Sequence, residues 1–423
     1  MLDIRLIRER PEFVKDQIAR LHTTAPIDEI LAVDEQRRSI LTEVETMRAR
    51  LNEGSRQTGK VPAGAERDAH IAEMRRLGDE IGALNEKVNA LDAELYQLQL
   101  LVPNLPGPEV PDGEDESDNV VTSTWGTLRD FTFQPRPHWE IGEQLGIIDF
   151  ERGVKVSGSR FNFLRGDGAR LQRALITWML DLHREQGYDE VYPPYLVRRE
   201  AMVGTGNLPK FADTLFRDEA EDLWMIPTAE VPVTNMYRDE ILDGAQLPIN
   251  HTAYSACFRN EKASAGRDVR GIKRLFQFDK VELVKFVRPE ESPEEHMRLV
   301  HDAAETLERL ELPYRTVEIC AGDLSFVASR KIDLEAWAPG VEEWLEVSSC
   351  SNFRDFQARR SNIRFRPGEG QRPQFVHTLN GSGLGMPRTM IAVIENYQNQ
   401  DGSITIPAIL RPYMGGQERI GPV

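Results

Sequence analysis

258-FRNEKASAGRDVRGIKRLFQFDKVE-282 reads as two strands joined by a loop rich in arginine, lysine and glycine. Side chains alternate across a strand, so Arg259 and Glu261 share one face, and Phe276, Phe278, Lys280 and Glu282 share one face of the partner. No crossover helix fits between the two runs, which makes the pair an antiparallel hairpin. Further strand-like runs follow at 252-TAYSACF-258, 275-LFQFDKVELVKFV-287, 314-YRTVEIC-320 and 344-WLEVSSC-350, several without intervening helices. Helical spacing occurs between strands as well, most clearly from about Ala169 to Gln186, where Leu171, Leu175, Trp178, Met179 and Leu182 recur and Gly187 stops the helix. The expected class is α+β, an antiparallel sheet flanked by helices. Neither GxGxxG nor GxxxxGK[ST] occurs, so nothing supports a phosphate loop at a helix N-terminus.

The hairpin brings a guanidinium, a carboxylate and an aromatic ring to one face. Arginine suits a bidentate grip on phosphate and a ring offers a stacking surface for a base, which is a nucleotide site in outline. A salt-bridge ladder on an edge hairpin would use the same residue types. In 343-EWLEVSSCSNFRDFQARR-360, Glu346 and Ser348 are expected on one strand face with Ser349 just beyond, placing oxygen ligands suited to a hydrated Mg²⁺ that bridges phosphates. In 377-HTLNGSGLGMPRTMIAVIENYQ-398, Pro387 suits a first helical turn and Arg388 lies at that helix's positive end, an anion site, although the same run also reads as a glycine turn into a packing helix.

The front of the chain follows another period. Ile30, Val33, Ile40, Val44, Met47 and Leu51 alternate by threes and fours with Arg37 interrupting the seam, and the pattern resumes strictly from Met74 through Leu77, Ile81, Leu84, Val88, Leu91, Leu95 and Leu98. Between them 52-NEGSRQTGKVPAGA-65 permits a reversal. Two helices of some thirty residues at ~1.5 Å per residue make an antiparallel coiled-coil arm on the order of 45 Å long. Residues 1–102 are assigned to this arm, 103-PNLPGPEVPDGEDESD-118 to a linker with nothing to pack, and 119–423 to the second domain.

Net charge is −17, which argues against a protein that coats nucleic acid indiscriminately. Between Arg48 and Arg76 the balance reverses, with Arg48, Arg50, Arg56, Lys60, Arg67, Arg75 and Arg76 against Glu53, Glu66, Asp68 and Glu73. An RNA-facing tip would look like this, and so would an ordinary solvated coiled coil. Cys257, Cys320 and Cys350 lack CxxC spacing, so no disulfide framework and no zinc site is expected. Neither a signal peptide nor a membrane span is indicated, and a cytoplasmic address is expected.

Taken together, 169-ARLQRALITWMLDLHREQGYDEVYPP-194, the CFRNE and RLFQFDKVE strands and NGSGLGMPRTMIAVIENYQ resemble motifs 1, 2 and 3 of the class II aminoacyl-tRNA synthetases. With 205-TGNLPKF-211, 227-PTAEVP-232, 346-EVSSCSN-352, 356-FQARR-360, 411-RPYMGG-416 and the leading hairpin, the resemblance narrows to bacterial-type seryl-tRNA synthetases and covers essentially the whole chain. It implies that serine is activated with ATP to seryl-adenylate and then moved to the 3′-OH of tRNA(Ser), with tRNA(Sec) left open as a second acceptor. By this resemblance Thr228, Ala229, Glu230, Glu282, Asn380 and Ser382 bind serine. Arg259, Asn260, Glu261, Leu275, Phe278, Glu346, Val347, Ser348, Ser349 and Arg388 bind ATP, with Arg259 on the α-phosphate, Phe278 on adenine and Arg388 on the γ-phosphate. Glu346 and Ser349 are implied ligands of Mg²⁺. The resemblance also implies a homodimer whose arm crosses to tRNA on the partner subunit. Lys262, Ala263, Phe276 and Phe353 depart from the family pattern. A paralogue loading a carrier protein would lack the arm, and a non-catalytic coiled-coil adaptor would not need Arg259, Glu282, Glu346 and Arg388 together.

Overall fold

The computed structural model describes residues 1–261 and 270–421. Lys262 and Ala263 lie outside the described residues. The chain divides into two compact units, Met1–Ala19 with Thr23–Pro103, and Arg20–His22 with Asn104–Val423.

In the first unit helix α1 (Ile27–Thr58) and helix α2 (Ala65–Leu100) run antiparallel. Val44, Leu77 and Ile81 are the buried centre of their seam, with Ile40, Met47, Leu51, Met74 and Leu84 packed around them. Arg37, the interruption in the heptad pattern, pairs with Asp92 of the facing helix. The reversal is shorter than the glycine-rich stretch predicts, because α1 continues past Gly54 to Thr58. A Cβ at Gly54 would stand 2.2 Å from the Met74 sulfur, so the glycine marks a close crossing and not a helix stop.

The second unit is built on an eight-stranded sheet. Its strands are β1 (Val120–Trp125), β2 (Asp189–Glu190), β3 (Ile249–Phe258), β4 (Gln277–Val287), β5 (Tyr314–Glu318), β6 (Arg330–Ala338), β7 (Glu343–Arg354) and β8 (His377–Gly385). Their order is β1-β5-β6-β7-β8-β4-β3-β2. All neighbours pair antiparallel except the short β2, which runs parallel to β3. Helices α3 (Asp167–Glu185), α4 (Ser292–Arg309) and α5 (Met386–Asn396) pack Leu175, Met179, Leu299, Leu307, Met390 and Ile394 with Val281, Leu283, Leu334, Leu379 and Leu384 of the strands. One sheet face is therefore sealed by helices. On β4 the alternation continues unbroken, so Lys280, Glu282, Val284 and Phe286 emerge on the other face.

Two interruptions shape that open face. Val281 pairs with Leu384 and Glu282 with Ser382, leaving Gly383 as an extra residue on β8. A Cβ there would lie 2.4 Å from His183 Nε2 of α3, so the bulge needs glycine. On the next strand Leu334 pairs with Ser348 and Glu335 with Glu346, leaving Val347 as the extra residue of β7.

The proline-rich stretch after the arm packs more closely than expected. Asn104 and Val110 are buried, and the Asn104 amide donates to the carbonyls of Val327 (2.9 Å) and Phe353 (2.8 Å). Proline pre-orders an extended backbone, so a single well-bonded amide anchors such a segment at little entropic cost. Among the described residues no helix is long and apolar enough to cross a membrane.

Phe286 is fully buried with Val284, Val233, Phe365 and Val376 beneath the open face, and its ring meets Tyr237 edge-on at 4.9 Å. Phe286→Ala is expected to lower the stability of this unit by about 3–5 kcal/mol, measured by denaturant titration, with the arm's helical signal unchanged.

Candidate active site

The open face of β4, β8, β7 and β6 floors a cavity of about 430 Å³. Thr228, Glu230, Arg259, Glu261, Leu275, Phe278, Glu346, Val347, Ser349, Asn380, Ser382 and Arg388 of the expected set line it, and Glu282 lies at once beneath. Strand residues of β4, β7 and β8 thus meet Thr228 and Glu230, Arg259, Glu261 and Leu275 beside the hairpin, and Arg388 of α5.

One end holds two carboxylates. Glu282 on β4 is fully buried, accepts from Thr228 Oγ1 (3.0 Å) and from Asn380 Nδ2 (2.8 Å), and pairs with Lys280. The same Asn380 amide donates at 2.8 Å to Glu230, which begins the short helix Glu230–Asn235, while Gln357 donates to the other Glu230 oxygen and is itself held by Thr378 (2.7 Å). Burial first, and then the negative Glu282 nearby, push the Glu230 carboxyl up to about 7. Donors and acceptors within 3 Å of one another, with Thr228, Glu282 and Asn380 buried, can hold a small ligand carrying an ammonium and a hydroxyl.

The other end is cationic and aromatic. Phe278 stands on the open face of the hairpin with the Arg259 guanidinium 5.1 Å from its ring centroid, and Arg259 Nε donates to the Pro227 carbonyl (3.2 Å). Arg388, in the first turn of α5 beside Pro387, donates to the Glu346 carbonyl (2.8 Å) and lies 3.6 Å from its carboxylate. The crowding around Glu346 opposes its ionisation, but Arg388, Lys331, Arg259 and Lys280 outweigh that and hold its carboxyl below the usual range. An ionised Glu346 beside the Ser349 hydroxyl is a hard-oxygen donor pair, the chemistry a magnesium ion accompanying a polyphosphate requires. Among the described residues no cluster of three or more His, Cys, Asp or Glu could hold a metal unaided.

Besides Glu282, three expected positions are not in the lining. Ser348 does not share a face with Glu346: the Val347 bulge turns it to the helix side, where it donates to the Ser382 carbonyl (2.6 Å), and Ser349 takes the cavity position. Ala229 is fully buried in the cluster under the open face. Asn260 engages Thr214 through its backbone N–H (2.9 Å). Phe276 packs edge-on against Phe161 and Phe216, and Phe353 is buried behind Val110 and Leu324 while reaching the cavity wall. Lys331, Ser351 and Gln357 belong to the site and were not singled out. Gln357 stood in the quoted FQARR run, whereas Lys331 and Ser351 required knowing which strands are neighbours.

Residues 211–397 match the model of the tRNA synthetase class II core domain (G, H, P, S and T), and residues 1–106 match the seryl-tRNA synthetase N-terminal domain. The chain is 65% identical over 422 residues to a serine–tRNA ligase of Thermomicrobium roseum, covering 100% of this chain and 95% of the relative. It is 57% identical to that of Herpetosiphon aurantiacus over the full length of both. Among solved structures, seryl-tRNA synthetase from Pyrococcus horikoshii complexed with ATP superposes with a TM-score of 0.95 at 40% identity, covering 100% of each chain. The cytoplasmic enzyme of Naegleria fowleri with AMP gives 0.89 at 29%, covering 100% of this chain and 99% of that one.

Because the folded-state pKa of Glu230 is raised, the folded state is penalised progressively as pH climbs from the ordinary carboxylate range through about 7. Glu230→Gln is therefore expected to gain thermal midpoint relative to the parent over that window and to show no relative gain below it, measured by thermal melts from acid to mildly alkaline pH.

Proposed function

As a member of the seryl-tRNA synthetase family, the chain is an enzyme that attaches serine to tRNA, and we propose that its open-face cavity carries both steps of that reaction. The observation that carries this reading is the joining of a carboxylate nest to a cationic, ring-walled end within one cavity.

The serine ammonium binds at Glu230, and the serine hydroxyl is read by Glu282, Thr228 and Ser382, with Asn380 fixing both carboxylates and Ala229 supporting from behind. A pocket of methylene size excludes alanine weakly, but buried polar groups left unpaired by alanine exclude it strongly. Phe278 and Leu275 take the adenine, Arg259 and Glu261 the α-phosphate side, and Arg388 the γ-phosphate, with Asn260, Val347 and Ser348 acting through backbone and packing. Glu346 and Ser349 would hold a Mg²⁺ ion, which would supply neutralisation of phosphate charge. The serine carboxylate is already a nucleophile at neutral pH, so the residues position reactants and stabilise charge without a general base. The tRNA 3′-OH then attacks seryl-adenylate, and the basic tip of the α1–α2 hairpin meets the tRNA backbone. A homodimer in the cytoplasm completes the reading; Val154, Val156 and Phe163 expose apolar surface in the segment before α3 that such an assembly can cover.

Pyrophosphate exchange assayed with each of the twenty amino acids, followed by charging of total tRNA, tests the reading: serine alone should support fast exchange, and serine alone should appear on tRNA. Arg259→Ala is expected to reduce serine-dependent exchange by about 10²–10³-fold, as loss of one preorganised donor does. Replacing Arg56, Lys60 and Arg67 by Gln should leave exchange unchanged while tRNA binding weakens, its salt dependence falling by roughly one unit of slope per lost phosphate contact.

A further inference from the structure

Lys331, a cation on the cavity wall, has no part in the roles above. Lys331 on β6 pairs across to Ser351 of β7, and Asp333 pairs to Ser349. Lys331 lines the cavity with a side chain only 17% exposed, and its Nζ lies 3.5 Å from Asp333 Oδ2. Lys331 lines the same cavity as Glu346 and Ser349 and lies in the field of the Glu346 carboxylate. Asp333 is itself 4% exposed, and its Oδ1 has no hydrogen-bond partner.

At 3.5 Å Asp333 makes a long contact with at most one of the three ammonium N–H bonds, leaving the others for a ligand. The neighbouring cations are committed differently: Arg388 to Glu346, Arg274 to Glu261 and Lys280 to Glu282. An ammonium kept largely out of water, loosely tethered and facing a cavity, is suited to an anion that arrives.

We propose that Lys331 is a phosphate-binding residue of the activation step, gripping the β- and γ-phosphates of ATP and the pyrophosphate that leaves. Asp333 is its positioning residue. The inference rests on the ATP-binding reading of the cavity. In the step, a serine carboxylate oxygen bonds to the α-phosphorus as the bond from that phosphorus to the bridging oxygen breaks, and the bridging oxygen keeps the electron pair on pyrophosphate. Charge grows on the leaving group, and the ammonium that held the ATP phosphates keeps its hold on them as pyrophosphate.

The test uses the full-length enzyme with Lys331→Met and Lys331→Arg. Exchange kinetics should show KM for ATP and for pyrophosphate raised about tenfold in K331M, the change expected from one charged hydrogen-bonding group, with KM for serine within about twofold of the parent and K331R largely restored. Equilibrium binding of pyrophosphate, measured separately, should weaken in parallel. Unchanged ATP and pyrophosphate constants would overturn the proposal. So would a uniform loss of all three constants together with thermal stability, which marks a structural residue, or a defect confined to charging, which would place the phosphate on the tRNA terminus. The underlying ATP reading fails differently, by absence of serine-dependent exchange in the parent.

Discussion

A single side-chain amide ties the site together. Asn380 Nδ2 has two N–H bonds and gives one to Glu230 and one to Glu282, each at 2.8 Å. Burial first, and then repulsion between two carboxylates this close, raise the Glu230 carboxyl. Lys280 offsets part of it from the same strand face as Glu282. The arrangement holds only while Asn380 and Glu282 keep their places, and these are set by pairing Val284 with Asn380 and Glu282 with Ser382 across the Gly383 bulge. A slip of one residue would turn every one of these groups into the helices that seal the opposite face.

Periodicity made much of this visible in the amino-acid sequence. The heptad runs lie in α1 and α2, the hairpin reading of 258–282 matches β3 and β4, and the helix expected from about Ala169 is α3 at Asp167–Glu185. What the period-two rule could not supply were the places where the chain departs from it. The Val347 bulge moved Ser348 off the cavity face and put Ser349 on it, and nothing local in EVSSCSN signals an extra residue. Gly54 carries the composition of a helix stop, yet a facing Met74 explains it by contact across the seam. Lys331 and Ser351 become partners through β6–β7 pairing, information that belongs to topology and not to either segment alone. Asn104 reads as linker because its two acceptors lie more than two hundred residues away.

Electrostatics explain how an acidic chain handles polyanions. With a net charge of −17, long-range attraction to phosphate is unavailable, so positive charge must be local. Arg259, Arg274, Lys280, Lys331 and Arg388 converge on one cavity, each balanced by a nearby carboxylate or carbonyl that fixes its position. The depressed carboxyl of Glu346 is a consequence of that convergence. On the proposed reading the charges that receive phosphate also keep Glu346 ionised for a metal ion, so nucleotide and cation binding would draw on one field.

Serine binding followed by calorimetry in buffers of different ionisation enthalpy addresses the carboxylate nest most directly. With Glu230 near 7 in the empty site, an arriving ammonium should expel close to one proton per site at about pH 6 and almost none at about pH 8, while alanine should bind far more weakly at both. Equal proton counts at the two pH values, or alanine binding as tightly as serine, would contradict the account.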